Sequence, residues 1–126
     1  MNGYTFDSNI VIDALTGFEP ALAEIRRAAS SRSRAWISRM VWIEVFSKGS
    51  QPSLREAEAF LSGFGVDELD EEIAGRAAAL RRERQRLKSP DAVILATALV
   101  RGRILVSRNV RDFPPNMPGI RVPYIF

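Results

Sequence analysis

Residues 89–107, SPDAVILATALVRGRILVS, decide how this chain is built. Ser89-Pro90 reads as a helix start, a capping hydroxyl followed by a proline whose fixed φ suits the first turn. Apolar residues then run nearly unbroken to Val100, and Gly102 supplies the left-handed residue that commonly ends helices. The run RILVS follows at once, with the length and content of a buried strand. A helix that delivers the chain into an apolar strand across one glycine is the unit from which parallel sheets are made.

The same alternation recurs on either side. Upstream, Asp70 is placed to cap a long helix reaching Leu87, with Ile73, Leu80 and Leu87 on one face. Before it come a weak strand at 65–69, an amphipathic helix from Ser53 to about Gly63, and a helix from the Ser38 cap to about Lys48 that Gly49 stops. AWI (35–37) and GYTFD (3–7) read as short strands, while NIVIDAL (9–15) and EPALAEIRRAAS (19–30) have helical spacing, Pro20 falling in a first turn. Downstream, RVPYI (121–125) reads as an edge strand, because Pro123 has no N–H for a central ladder. No repeat or linker divides the chain, so residues 1–126 are expected to form one α/β domain. Its expected core is a short, mainly parallel central sheet of four to five strands flanked by helices, an α/β/α sandwich. Ligands of such sheets gather beyond the carboxyl ends of the strands.

Composition narrows the chemistry. With 126 residues, 46% of them hydrophobic and 26% charged, the chain can build one real core. It contains no histidine and no cysteine, which removes zinc fingers, thiol nucleophiles, imidazole acid–base pairs and disulfide staples. The 18 basic residues outnumber 15 acids, and only Lys48 and Lys88 among them are lysines. An arginine-dominated excess favours a phosphate-bearing partner. No apolar stretch has membrane-spanning length, and residues 1–16 lack a basic start and a long greasy run, so a soluble cytoplasmic protein is expected, with no membrane partner.

Three acids stand where acids are expensive. Asp7 closes the strand YTF, Glu44 lies inside MVWIEVF beside Met40, Val41 and Val45, and Asp91 opens DAVILATALV above Ile94, Leu95 and Ala98. Burying an unpartnered carboxylate costs several kcal/mol. Either arginines pair with each acid separately, as Arg39 would with Glu44, or the acids converge on a divalent cation. Asp7 and Asp91 sit at a strand end and a helix start, and RNVRDF after RILVS adds Asn109 and Asp112 at another strand end. Oxygen donors without nitrogen or sulfur suit a hard cation such as Mg²⁺ or Mn²⁺. Each acid also has a plainer reading: a helix cap for Asp7, a dipole partner worth about 0.3–1 kcal/mol for Asp91, a buried ion pair for Glu44 and a turn residue for Asp112. Asp13, Glu68 and Asp70 read as solvated or capping.

In order, DSNIVID, the isolated acid of ISRMVWIEVF, SPDAVILATAL and ILVSRNVRDF resemble the PIN-domain ribonucleases, and especially the VapC-type toxins of prokaryotic toxin–antitoxin pairs. The resemblance runs from Asp7 to Phe113. It implies a PIN-like fold and a Mg²⁺-dependent endoribonuclease (Mn²⁺ being a substitute) whose catalytic and metal-holding acids are Asp7, Glu44, Asp91 and Asp112. Ser8 and Asn9 would orient Asp7. Members often carry the fourth acid directly after a Thr-Arg pair; here Ser107-Arg108 is followed by the amide Asn109, and Asp112 comes three residues later, so either supplies that position. The resemblance also implies RNA, transfer RNA included, cut within an unpaired loop to leave a 5′-phosphate and a 3′-hydroxyl.

Four acids repel an RNA backbone, so cations must surround them. Arg81, Arg82, Arg84, Arg86 and Lys88, on the flanks of the long helix, together with Arg108 and Arg111, are the candidates. The family further implies a homodimer silenced by a VapB-type antitoxin that lays a helix into an apolar groove, for which Phe46, Leu54, Phe60, Leu61 and Phe64 are the candidates, core packing being their other reading. An inactive PIN-like module that only binds RNA or protein is the rival, and the complete acid set argues against it. An unrelated phosphoacceptor domain would want a lysine after a late strand, which Lys48 and Lys88 do not provide.

Overall fold

The computed structural model describes residues 3–30, 34–48 and 51–126, the last stretch with side chains from Leu54 onward. Five parallel strands, β1 (Tyr4–Phe6), β2 (Ala35–Ser38), β3 (Gly65–Asp67), β4 (Ile104–Val106) and β5 (Ile120–Arg121), form one sheet in the order β3-β2-β1-β4-β5. Helices α1 (Ser8–Leu15) and α2 (Glu19–Ala29) connect β1 to β2, and α3 (Arg39–Phe46) and α4 (Gln51–Leu61) connect β2 to β3. Helices α5 (Glu71–Glu83) and α6 (Ser89–Arg101) then carry the chain back across β1 to β4. This is the expected sandwich. Its direction of winding reverses between β1 and β4, which leaves a crevice at their carboxyl ends.

Local rules place the elements. Asp7, Ser38 and Asp70 cap α1, α3 and α5 through side-chain oxygens that accept backbone N–H bonds. Gly102 ends α6 at φ 68°, as its position requires. Residues Ala92–Ala98 of α6 are all buried, which explains a helix with almost no polar face. Phe6, Ile10, Ile37, Ile94 and Leu105 are fully buried between the layers. A Cβ on Gly65 would come within 2.3 Å of the Trp36 ring, so only glycine lets β3 pass there. Trp36 in turn carries the Arg103 guanidinium at 3.9 Å.

Several boundaries move. The helix expected to reach Leu87 stops at Glu83: Arg84 leaves helical geometry at φ −129°, and Lys88 is already extended as the cap of α6. Leu87 still reaches the core, but through a turn closed by its N–H on the Arg84 carbonyl. The cap of α6 is therefore Lys88, not Ser89. The last strand is confined to residues 120–121, because Pro123 and the aromatic packing of Tyr124 and Phe126 against Phe18 take the chain off the sheet. Helix α4 begins at Gln51 rather than Ser53. Gly49, the expected stop of α3, lies outside the described residues.

Buried ion pairs fasten the layers. Glu24 of α2, 5% exposed, accepts from Arg27 and from Arg121 of β5. Asp67 at the end of β3 pairs with Arg103 and Arg101. Burial alone would raise the Glu24 pKa, yet the hydrogen bonds and charges of Arg121 and Arg27 hold it at about 2. A carboxyl held below its ordinary 4.5 contributes stability in full above that pH and loses it as the pH falls toward 2. Glu24→Gln should therefore lower stability at pH 7 by about 1–2 kcal/mol, the half-exposed guanidiniums being partly screened. It should also flatten the thermal midpoint between pH 4.5 and 2. A variant with the same acid limb as wild type would contradict this.

Candidate active site

The crevice is assembled from strand ends. Asp7 follows β1 and caps α1, and its N–H bonds the Val106 carbonyl at 2.9 Å, so it lies beside Ser107 at the end of β4. Its carboxylate is 2% exposed and accepts three bonds, from the Ser8 N–H (2.8 Å), the Ser107 hydroxyl (2.7 Å) and the Asn9 amide (3.3 Å). Those donors are neutral. Burial raises the Asp7 pKa against the pull of these bonds, and the nearby Glu44 charge raises it further.

Glu44 of α3 and Asp91 of α6 face the same crevice. Burial raises the pKa of Glu44; Asp91 adds to the rise, while a hydrogen bond from Ser8 and the charge of Lys48 oppose it. Its Oε1 is buried with no hydrogen-bond partner. Burial, then the charges of Asp7 and Asp112, push Asp91 up to about 6, with Lys88 opposing. Two expectations change here. Arg39 pairs with Glu68, not with Glu44, and the Ser8 hydroxyl serves Glu44 while only its backbone serves Asp7.

The Ser107–Asp112 turn closes the site. Ser107 donates to Asp7 and accepts the Asn109 N–H at 3.0 Å. Asn109 donates from Nδ2 to the Asp112 carboxylate at 2.9 Å, and its Oδ1 accepts the Asp112 N–H at 3.4 Å. Both polar ends of the amide are thus spent on Asp112, which leaves Asp112 as the acid that faces Asp91.

None of the ion pairs among the described residues includes Asp7, Glu44, Asp91 or Asp112. The arginines go elsewhere, so separate pairing does not compensate these acids. Equally, no three acids among the described residues stand in a ready-made ligand group. What the structure holds is an all-oxygen donor set with mutual repulsion and one orphaned buried oxygen, which fits a hard divalent cation.

A cleft of about 660 Å³ opens on Asp91, Asn109 and Asp112, and Arg84, Arg86, Lys88 and Arg111 line it. Arg86, Lys88 and Arg111 are exposed, and Arg84 donates to the Asp112 carbonyl at 2.6 Å. The other basic candidates are otherwise engaged or placed. Arg81 bonds the Leu87 carbonyl, Arg82 lies off the cleft on α5, and Arg108 is bound to Asp13. Because α5 ends at Glu83, Arg84, Arg86 and Lys88 stand on a turn rather than on helix flanks. Asp13 is also corrected: it is 5% exposed and accepts from Arg108 at 2.6 and 3.0 Å and from the Tyr124 hydroxyl at 2.7 Å. Burial and that carboxylate raise the Tyr124 pKa, keeping the phenol a donor. Glu68 is exposed and Asp70 caps α5, as read. Glu24 and Asp67 are buried acids that the sequence reading missed.

A second cleft, of about 650 Å³ and mainly apolar, is lined by Trp42, Phe46, Leu54, Leu61 and Phe64. Leu61 and Phe64 are also core residues, and Phe60 packs on Phe64 without lining the cleft. No helix among the described residues is long and apolar enough to cross a membrane.

Residues 4–114 match the PIN domain model, and the chain belongs to that family. Over 122 residues it is 30% identical to Ribonuclease VapC19 of Mycobacterium tuberculosis (strain CDC 1551 / Oshkosh), covering 94% of this chain and 97% of that protein. Among solved structures, a chain of a toxin–antitoxin complex from Klebsiella pneumoniae superposes with a TM-score of 0.85 at 34% identity, covering 98% of this chain and 99% of that one. A DNA-bound VapBC from Salmonella typhimurium gives 0.78 at 26% identity, with 96% of each chain covered.

The Asp91 shift has a measurable sign. A carboxyl held above its ordinary 3.8 keeps its proton longer in the folded state, so the fold loses stability as pH rises from about 4 to about 6 and stays lowered above that. In chelator, Asp91→Asn should melt above wild type at pH 7 and together with it at pH 4. An advantage of equal size at both pH values would rule out relieved repulsion.

Proposed function

We propose that this protein is a metal-dependent endoribonuclease, the toxin of a toxin–antitoxin pair. The observation that carries the reading is the set of four acids at the β1/β4 switch point, none ion-paired, beside a cleft rimmed by free-standing cations. The similarity to a ribonuclease and to chains of toxin–antitoxin complexes supports it.

Asp7, Glu44, Asp91 and Asp112 are the residues we assign to holding Mg²⁺, with Mn²⁺ as a substitute. When bound, the cation supplies Lewis acidity and lowers the pKa of water at the site. The chain's own groups do the rest. Ser107, Asn9 and the Ser8 N–H fix the Asp7 carboxylate, and Asn109 fixes that of Asp112. Glu44, raised by burial and carrying the unpartnered Oε1, is the group we assign to accept the proton of the attacking water. Arg86, Lys88 and Arg111 offset the acids and receive backbone phosphates on either side of the cut. Structured RNA such as transfer RNA, cut in an unpaired loop, is the substrate class we assign. We further assign a homodimer, with the apolar cleft around Trp42 and Phe46 as the seat of an antitoxin helix.

The deciding experiment compares RNA cleavage with and without Mg²⁺ by wild type, Asp7→Ala and Asp91→Ala. We expect metal-stimulated cleavage that each substitution lowers at least about 100-fold. Equal cleavage by all three proteins would refute the assigned site, and RNA binding without cleavage at any divalent ion would favour the inactive module.

Removing rim cations should act on binding instead. Arg86→Ala, Lys88→Ala or Arg111→Ala should raise KM more than it lowers kcat, and should reduce the slope of log binding against log salt by about one per cation removed. Arg82→Ala should leave both unchanged.

A further inference from the structure

We propose that Asp13, Arg108, Tyr124 and Phe126 form a lock that positions the Ser107–Asp112 turn, so that Arg108 is a positioning residue and not a contact to RNA. The proposal rests on the ribonuclease reading for its kinetic consequence, but not for its structural one.

The turn is fastened to α1 at two places. The Arg108 N–H donates to Asn9 Oδ1 at 3.3 Å, and the Arg108 side chain donates from Nε and Nη2 to the Asp13 carboxylate. Asn9 and Asp13 are four residues apart and so lie on one face of α1, one turn above the other. Asp7 caps that same helix. The helix therefore serves as a ruler: it sets both the position of Asp7 and that of the turn carrying Asn109 and Asp112.

The guanidinium has little freedom left. A bidentate pair fixes its plane, and the Phe126 ring covers its face at 3.9 Å. Tyr124 donates to the same Asp13 carboxylate at 2.7 Å, and Phe18 holds both rings, each with centroids 5.0 Å from its own. Asp13 is buried while the Arg108 side chain is only 28% exposed. With its charge neutralised and its face covered, Arg108 is poorly placed to receive phosphate. What it does fix is the turn in which Asn109 grips Asp112.

Tyr124 and Phe126, in and just beyond the 121–125 stretch that the sequence reads as an edge strand, thus press on the turn through Asp13 and Arg108. Loosening them should let the Asp112 carboxylate wander without removing any acid. Losing such a supporting contact typically lowers activity about 10–100-fold.

The test uses Asp13→Asn and Tyr124→Phe, with Glu24→Gln as the control. Glu24 is likewise a buried acid bonded to arginines, but none of its hydrogen bonds goes to the turn. Two quantities are read well below the melting temperature: amide hydrogen exchange at Asn109, Asp112 and Phe113, and steady-state cleavage of RNA with Mg²⁺. We expect Asp13→Asn to speed exchange at these amides and to lower kcat about tenfold with KM within about twofold. Tyr124→Phe should move both in the same direction by less, and it carries the test alone if Asp13→Asn fails to fold. Glu24→Gln should lower the melting temperature and move neither. Unchanged exchange in Asp13→Asn and Tyr124→Phe, or an equal loss of kcat in Glu24→Gln, would overturn the lock. Should wild type cleave nothing with any divalent ion, the ribonuclease reading fails while the exchange measurement still decides the lock.

Discussion

Repulsion among carboxylates that have no cationic partner is the constraint around which this molecule is arranged. Asp7, Glu44 and Asp91 each leave water, and burial raises the pKa of each. Neutral donors soften the penalty at Asp7, and at Glu44 one oxygen is left with no donor at all. A protein ordinarily pairs an acid that it buries for folding alone. This one has arginines in number and sends them to Asp13, Glu24, Asp67 and Glu68. The fold tolerates an unrelieved charge cluster because ion pairs and core packing elsewhere stabilise the layers that carry it.

Parallel winding explains why the cluster can exist. Strands only two to four residues long deliver their carboxyl ends to one edge, and helices start there. The reversal of winding at β1/β4 opens the crevice between Asp7 and Ser107, while α6 brings Asp91 in from a different layer. Each acid is thus fixed by a different element, and small shifts of a side chain change their spacing without unfolding anything. The Ser107–Asp112 turn is held by side chains from α1 and, through Asp13 and Arg108, by Tyr124 and Phe126.

The rule that found the acids also shows its limit. An acid in an apolar run singled out Asp7, Glu44 and Asp91, yet Asp13 sits in NIVIDAL in the same way and Glu24 in ALAEIRR. All five are withdrawn from water to some degree. What separates them is whether an arginine meets them: Glu24 meets Arg27 three residues on and Arg121 97 residues away, and Asp13 meets Arg108 95 residues away. Only the Glu24–Arg27 spacing is visible in the chain; the distant pairings are not. The same limit hid the partner of Arg108, whose charge is spent on Asp13 while its neighbours Asn109 and Asp112 bond one another.

The order of elements, the parallel sheet and the caps at Asp7, Ser38 and Asp70 were determined by the chain alone, because they follow from apolar periodicity and cap chemistry, and the cost of burying charge singled out Asp7, Glu44 and Asp91 as candidates. The tertiary structure decided the partners. It ended α5 at Glu83 and turned the basic run into the rim of a cleft, bound Asn109 to Asp112 within reach of the Asp91 charge, and set Arg108 against Asp13. Pairing depends on which surfaces meet when layers close, and contacts spanning nearly a hundred residues leave no local trace in the order of amino acids.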